Sequence, residues 1–249
     1  MNKVAFITGS SRGIGRATAL QLALDGYDII VHYRNNREKA EEVASEIQKI
    51  GRNTKVIQFD ITDYKTMEDV FLELISFTDH IDLLVNNVGF DYDKTLEDYP
   101  IAEIQSVVDM VLTSKMVITK LALPFLKKSV DPQVINIASR LGKSSVISGV
   151  VPYAAAEAGV IRFTEFCVAE MTKKYGIRFN TVAPGLTDTD YSRLYIQKES
   201  DWQKIAEKNP LGRTGKPQDV VNVISFLASE KGNYINGECI QVTGGSQFA

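Results

Sequence analysis

Short runs of β-branched and other apolar residues alternate with amphipathic helical stretches from one end of the chain to the other. The runs Val4–Thr8, Asp28–Tyr33, Thr54–Phe59, Leu83–Asn86, Val134–Ala138, Arg178–Val182 and Cys239–Val242 read as strands. All but the last lead into a helical pattern, directly or through a loop. Several are apolar at nearly every position, which suits strands buried on both faces. The rhythm predicts an α/β fold: a parallel sheet of about seven strands with helices on both faces. Right-handed crossovers make such a sheet doubly wound. No repeat, linker or low-complexity tract divides residues 1–249, so a single domain is expected. The least regular stretch is 187–215, which is polar and holds the only tryptophan, Trp202. It reads either as a lid over the carboxyl edge of the sheet, where ligands bind in this architecture, or as a packed surface excursion.

Composition narrows the partners more than the fold. The chain is 44% hydrophobic and 24% charged, with a formal net charge of −3. A mild acidic balance gives no electrostatic reason to expect nucleic acid or an anionic membrane. The apolar runs fall short of the ~20 residues a membrane helix needs, and Met1-Asn2-Lys3 opens no signal-peptide pattern. Cys167 and Cys239 lie in separate apolar segments and are expected as two buried thiols, in a cytoplasmic protein. His32 and His80 share no ligand spacing with each other or with the cysteines, so no metal site is expected. His32 reads as a strand residue with a satisfied hydrogen bond.

The first strand ends in Thr8-Gly9-Ser10-Ser11-Arg12-Gly13-Ile14-Gly15, and a helical pattern starts at once. Glycines there allow a tight turn and close approach of backbone to a pyrophosphate. The helix N-terminus adds unpaired N–H groups and a favourable dipole. This is a Rossmann-type dinucleotide site with G-x-x-x-G-x-G spacing rather than the common G-x-G-x-x-G. The second strand ends in His32-Tyr33-Arg34, with no acid to bind a ribose 2′-hydroxyl. Arg34 and Arg12 instead offer guanidinium groups to a 2′-phosphate, which points to NADP(H) over NAD.

In these motifs the chain resembles the short-chain dehydrogenase/reductase family, and the likeness runs its full length. Thr8–Gly15 matches the family's T-G-x-x-x-G-x-G. Asp60, followed by Ile61, matches the acid that hydrogen-bonds adenine. Asn86-Asn87-Val88-Gly89 resembles the N-N-A-G segment. Pro184-Gly185, with Thr187 and Thr189, looks like the stretch that holds the nicotinamide carboxamide and phosphates. Val242-Thr243-Gly244-Gly245 resembles the terminal strand. Ser139 and Tyr153, fourteen residues apart, fall at the catalytic serine and tyrosine positions. The nearest look is to bacterial 3-oxoacyl-[acyl-carrier-protein] reductases and similar sugar or steroid alcohol dehydrogenases. The resemblance implies cofactor contacts from Gly9, Ser11, Arg12, Gly13, Ile14 and Gly15 in the turn. It implies further contacts from Arg34, Asp60, Ile61, Asn87, Gly89 and Tyr153, and from Pro184, Gly185, Thr187 and Thr189. It also implies a homotetramer or homodimer built on the helices around Ala102–Lys127 and Val151–Tyr175, a small carbonyl or acyl-thioester substrate, and an acyl carrier protein as candidate partner.

The pattern breaks at two of the family's four catalytic positions. Where the family has a lysine four residues after the tyrosine, this chain has Glu157. Where it has an asparagine on the preceding helix, this chain has Val111. Tyrosine ionises near pKa ~10; the usual ammonium lowers that value and a carboxylate raises it. Tyr153 therefore stays protonated, able to donate but poor as a base, while Glu157 can still accept hydrogen bonds from ribose hydroxyls. Lys115 lies four residues after Val111 and so shares its helix face. It either pairs with Glu157, bringing the cation in from another helix, or snorkels to solvent. Two functions stay open: an NADPH-dependent ketone reductase using Ser139 and Tyr153, or an NADP-binding protein with lost or redirected chemistry.

Overall fold

In the computed structural model, which describes residues 2–248, the strands form one parallel sheet. Met1 and Ala249, the ends of the expected domain, lie outside the described residues. The strands are β1 Lys3–Ile7, β2 Tyr27–Tyr33, β3 Thr54–Gln58, β4 Leu83–Asn86, β5 Gln133–Ile137, β6 Arg178–Pro184 and β7 Cys239–Val242. Their spatial order is β3-β2-β1-β4-β5-β6-β7. The order reverses between β1 and β4, which opens a crevice at the carboxyl ends of those strands. The expectation of strands buried on both faces agrees with the structure: β2, β4, β5 and β6 are buried at every position, the polar residues of β2 and β6 included.

The helices are α1 Gly13–Leu24, α2 Arg37–Lys49, α3 Tyr64–Leu74, α4 Ile101–Val108, α5 Ser114–Leu126, α6 Val151–Cys167, α7 Lys173–Tyr175, α8 Ser192–Tyr195, α9 Glu199–Lys208 and α10 Pro217–Ala228. They cover both faces. One core joins the α1, α2 and α10 side of the sheet, with Leu22, Ile47, Ile29 and Ile224 at its centre. The other, around Phe6, Phe71, Leu126 and Phe179, lies under α3 and α5. Helix α4 runs into α5 through a π-helical turn, Asp109–Thr113, and α6 continues into α7 through another, Val168–Thr172. The two long helical runs expected at 102–127 and 151–175 are therefore continuous but not uniform.

Between β6 and α10 the chain leaves the sheet and returns where Thr187 pairs with Gly215. Trp202 anchors this excursion: it is buried, and its indole N–H donates to the Ile196 carbonyl at 2.8 Å. The segment is thus packed against the body, and its start walls the crevice. Both cysteines are free thiols. Cys167 is buried as expected, whereas Cys239 is half-buried because its strand forms the edge of the sheet.

Candidate active site

The glycine turn is built by contacts that sequence spacing cannot display. Gly9 and Gly13 have φ of +64° and +57°, values that favour glycine. A Cβ on Gly15 would stand 2.3 Å from the Gly9 carbonyl oxygen and 2.8 Å from Asn87 Nδ2, so the first turn of α1 rests directly on the loop. Asn87 joins this turn to the end of β4: its amide donates to Thr8 O at 3.0 Å, and its main-chain N–H donates to Thr8 Oγ1 at 2.9 Å. His32 braces the turn from beneath. Its Nδ1 accepts the Gly9 N–H at 2.9 Å, which leaves the proton on Nε2 to donate to Phe59 O at 3.0 Å. Burial lowers its pKa to about 4. The expected satisfied hydrogen bond is therefore two bonds, and the ring is fixed in one neutral form.

Above the turn, Arg12 is extended and its side chain does not cap α1, so the first N–H groups of the helix remain open to an anion. Thr189 faces Gly13 with its Cβ 3.7 Å from where a Gly13 Cβ would stand. Ser11, Arg12 and Gly13 on one wall and Thr189 on the other enclose a single depression. Ser192 pins that second wall, donating to Thr187 O at 2.7 Å and accepting the Thr189 N–H at 2.9 Å. Pro184 closes β6, and Gly185 N–H pairs with Val242 O at 2.9 Å. At the far end, Arg34 lies 3.7 Å from Asp60, both half-exposed. Asp60 is oriented by Thr62, whose N–H and hydroxyl donate to its Oδ1 at 2.9 and 2.7 Å. Ile61 packs its side chain into the core, so only its main chain is left for a ligand.

The reactive end is a cleft of about 370 Å³ whose walls include Ile14, Ser139, Tyr153, Glu157, Gly185 and Tyr191. Ser139 caps a short 3₁₀ turn, Arg140–Gly142, its Oγ accepting the Leu141 N–H at 3.2 Å. Tyr153 lies on the first turn of α6, with Glu157 one turn on. The Tyr153 hydroxyl lies close enough to Ser139 and Glu157 for both to influence its ionisation. Burial comes first among the causes that raise its pKa well above 10, and the Glu157 carboxylate adds to it; Ser139 opposes them. Glu157 is itself buried. Its Oε2 has no hydrogen-bond partner, and its pKa is pushed up by burial against the opposing pull of Lys115. Gly89 fits against this pair, within 3.5 Å of Glu157 Oε1 by its would-be Cβ.

Lys115 does not snorkel. It is 2% exposed, and its ammonium donates to Val88 O and Val111 O, both at 2.9 Å. The π-helical turn takes main-chain groups out of the α ladder here, and Met110 O receives Ser114 Oγ at 2.6 Å while Val111 O receives Lys115. No N···O distance of 4 Å or less joins Lys115 to Glu157 among the described residues, yet each shifts the other's ionisation: burial lowers the lysine pKa and the carboxylate resists it. The cation thus enters from α5, held by carbonyls, and faces the carboxylate at a distance. Val111 packs into a cluster with Val107, Ala156 and Val160, so no polar group stands at that helix position.

Two glycines that the motifs do not include bring these parts together. A Cβ on Gly142 would meet Ala158 N and Glu157 C at 2.6 Å, so the Ser139 loop lies flush on the helix turn that carries Glu157. A Cβ on Gly159 would meet Leu112 at 2.8 Å, so α6 sits close against the π-helical turn. Neither glycine stands in a turn signature, and a glycine in mid-helix is the only hint the sequence offers.

A family model described as enoyl-(acyl carrier protein) reductase matches residues 9–247. A 3-oxoacyl-[acyl-carrier-protein] reductase of Staphylococcus epidermidis is 35% identical over 245 residues, 98% of this chain and 99% of that one. Among solved structures, a putative gluconate dehydrogenase from Agrobacterium tumefaciens superposes with a TM-score of 0.92 at 30% identity, covering 99% of this chain and 96% of its own. A short chain dehydrogenase from Burkholderia cenocepacia, solved in complex with NADP, gives 0.88 at 28% identity, covering 98% and 97%. With the reversed sheet order and the glycine turn at its switch point, these matches establish that the chain belongs to the short-chain dehydrogenase/reductase family of oxidoreductases.

Proposed function

We propose that the protein is an NADPH-dependent carbonyl reductase acting on a ketone, a 3-oxoacyl thioester or a similar compound. The observation that carries this is the convergence of Ser139 and Tyr153 on one cleft that opens onto the glycine turn. The turn fits a dinucleotide: the Gly15 position has no room for a Cβ, and Ser11, Arg12, Gly13 and Thr189 line one depression at the start of α1. Bound there, NADPH supplies the hydride. Arg12 and Arg34 receive the 2′-phosphate, and Asp60 takes the adenine amine. The Ser139 hydroxyl donates to the substrate oxygen and polarises the carbonyl. Tyr153, kept protonated by burial and Glu157, gives its proton to the same oxygen. Glu157, on the wall of the cleft, would accept from the ribose hydroxyls, and Lys115 offsets its charge from behind.

The protein works as a homotetramer or homodimer. Ile101, Met116, Val151 and Phe166 stand 76%, 39%, 46% and 61% exposed on α4, α5 and α6, an apolar surface that a second copy would cover. A cytoplasmic setting agrees with the free thiols. No helix among the described residues is long and apolar enough to cross a membrane. Arg140 is the one cation among the described walls of the cleft, and an acyl carrier protein is a partner to be tested.

A second reading has one observation in its favour. Glu157 raises the tyrosine pKa where the family's lysine would lower it, which suits a nucleotide-binding protein whose redox chemistry is lost or redirected. Titration of NADPH fluorescence tests the shared part. Oxidation of NADPH by a panel of β-keto thioesters and small diketones separates the two, and silence across the panel rejects the reductase.

A further inference from the structure

The loop after β4 carries a second buried carboxylate that the proposed chemistry does not use. Asp91 is 7% exposed and borders the same cleft as Tyr153. Its main chain is clamped across the cleft: the N–H donates to the Tyr191 hydroxyl at 3.0 Å, and the carbonyl accepts from Tyr195 at 2.8 Å. Its Oδ1 accepts from the Tyr99 hydroxyl at 2.6 Å. Its Oδ2 is buried without a hydrogen-bond partner, and burial pushes the carboxyl's pKa up against the pull of the Tyr99 hydroxyl and the nearby main-chain N–H groups of Tyr92 and Asp93. A polar atom left so costs about 1–3 kcal/mol, a penalty native folds seldom carry without a ligand or water to relieve it. Three tyrosine hydroxyls thus fix the orientation of a carboxylate whose remaining oxygen lacks a donor.

The charge around it points the same way. Asp91, Asp93 and Glu157 border the cleft, and Arg140 is the one cation among its described walls. Arg140 is already engaged, its Nη1 donating to Ser246 Oγ at 3.0 Å and Ser246 O at 3.3 Å. An anionic substrate would meet Asp91 and Asp93 with no free cation among the described walls, whereas a donor group would meet an acceptor. The cleft of about 370 Å³ is also shared with the cofactor walls Ile14, Asn87 and Thr189, so the space left is small.

We propose that the substrate is a compact, uncharged or cationic carbonyl compound bearing a hydroxyl or ammonium group, which donates to the Asp91 carboxylate. This rests on the carbonyl-reductase reading of the cleft and narrows it, since a 3-oxoacyl thioester has no such donor beside its ketone. The test compares 3-hydroxy-2-butanone, aminoacetone, 2-butanone and acetoacetate in two ways: calorimetric binding to enzyme saturated with NADP⁺, and rate of NADPH oxidation. The hydroxyketone or the aminoketone is expected to bind about tenfold or more tighter than 2-butanone, with acetoacetate weakest. A hydroxyketone lead identifies a hydroxyl as the donor; an aminoketone lead identifies an ammonium. Asp91→Asn should abolish an ammonium preference and Asp91→Val should abolish either. Equal binding of 2-butanone or acetoacetate to the unaltered enzyme overturns the proposal without recourse to a variant. Asp91-dependent binding with no NADPH oxidation would sink the reductase reading and leave the pocket assignment standing. Oxidation with no ranking among the probes would do the reverse.

Discussion

Replacing Glu157 by glutamine, and Lys115 by methionine, singly and together, tests whether the displaced cation and the carboxylate form one electrostatic unit. Both groups are almost fully buried, at 2% and 1% exposure, so water screens neither. No N···O distance of 4 Å or less joins them, so at an effective dielectric of about 20 their attraction stays below about 4 kcal/mol. Removing one member of a buried pair costs about 3–5 kcal/mol, because the other keeps its desolvation penalty without compensation. Here the two carbonyls on Lys115 retain part of its stabilisation, so about 3 kcal/mol is expected for Glu157→Gln. Lys115→Met should lose a similar amount, since Glu157 Oε2 is already unpaired. The double variant should recover much of the loss, giving a coupling of about 2 kcal/mol. Urea unfolding of the four forms measures this directly, provided the m-values match. If the single losses add to within about 0.5 kcal/mol, the groups are independent and the argument fails. Glu157→Lys gives a second check. It should destabilise, by setting two ammonium groups near each other; a stable and more active Glu157→Lys would mean that the carboxylate merely damages the site.

The other predictions follow from single contacts. His32 stays neutral when folded until pH falls to about 4, whereas the unfolded side chain protonates near 6.5. The unfolded state therefore binds more protons between those values, and stability should fall by up to about 3 kcal/mol as pH drops through that window. His32→Asn keeps an acceptor for Gly9 N–H and should flatten this part of the curve; thermal unfolding at stepped pH reads it, and an unchanged slope argues against His32 as the source. Gly15→Ala forces apart the Gly9 carbonyl and the helix, so NADPH affinity should fall at least about tenfold by fluorescence titration while circular dichroism is retained. Arg34→Ala should weaken NADPH by about 1–3 kcal/mol and leave NADH unchanged; equal loss for both would remove Arg34 from the 2′-phosphate site. Because the Tyr153 pKa lies well above 10, the rate of ketone reduction should show no alkaline limb from it below pH 10, and Glu157→Gln should move that limb downward.

The fold was legible because its signals are local. Apolar runs located all seven strands, and the errors are end effects with physical reasons. Thr8 was expected in β1 but serves the turn, its carbonyl taking the Asn87 amide. Strand β6 runs on to Pro184 because that residue still pairs with Val242 of the edge strand. The cofactor turn was legible for the same reason, since a strand, three glycines and a helix lie together in sequence. The site was legible only as far as residue type reaches. Glu157 and Val111 show by identity that the lysine and asparagine are gone. Where the replacement charge goes depends on Val88 O and Val111 O, main-chain groups that every residue type possesses, exposed to a side chain by a π-helical turn that no hydrophobic period encodes. Snorkelling was a fair reading of a lysine on an apolar helix until those acceptors are counted. The same holds for Gly142 and Gly159, whose importance lies in segments that approach from elsewhere. The consequence for function is specific. Moving the cation onto α5 preserves a neutral balance within the protein while reversing the charge that Tyr153 meets, so the tyrosine is held as an acid. Under the proposed function, a tyrosine held protonated in that way can give its proton to a nascent alkoxide and is a poor base for taking one from an alcohol.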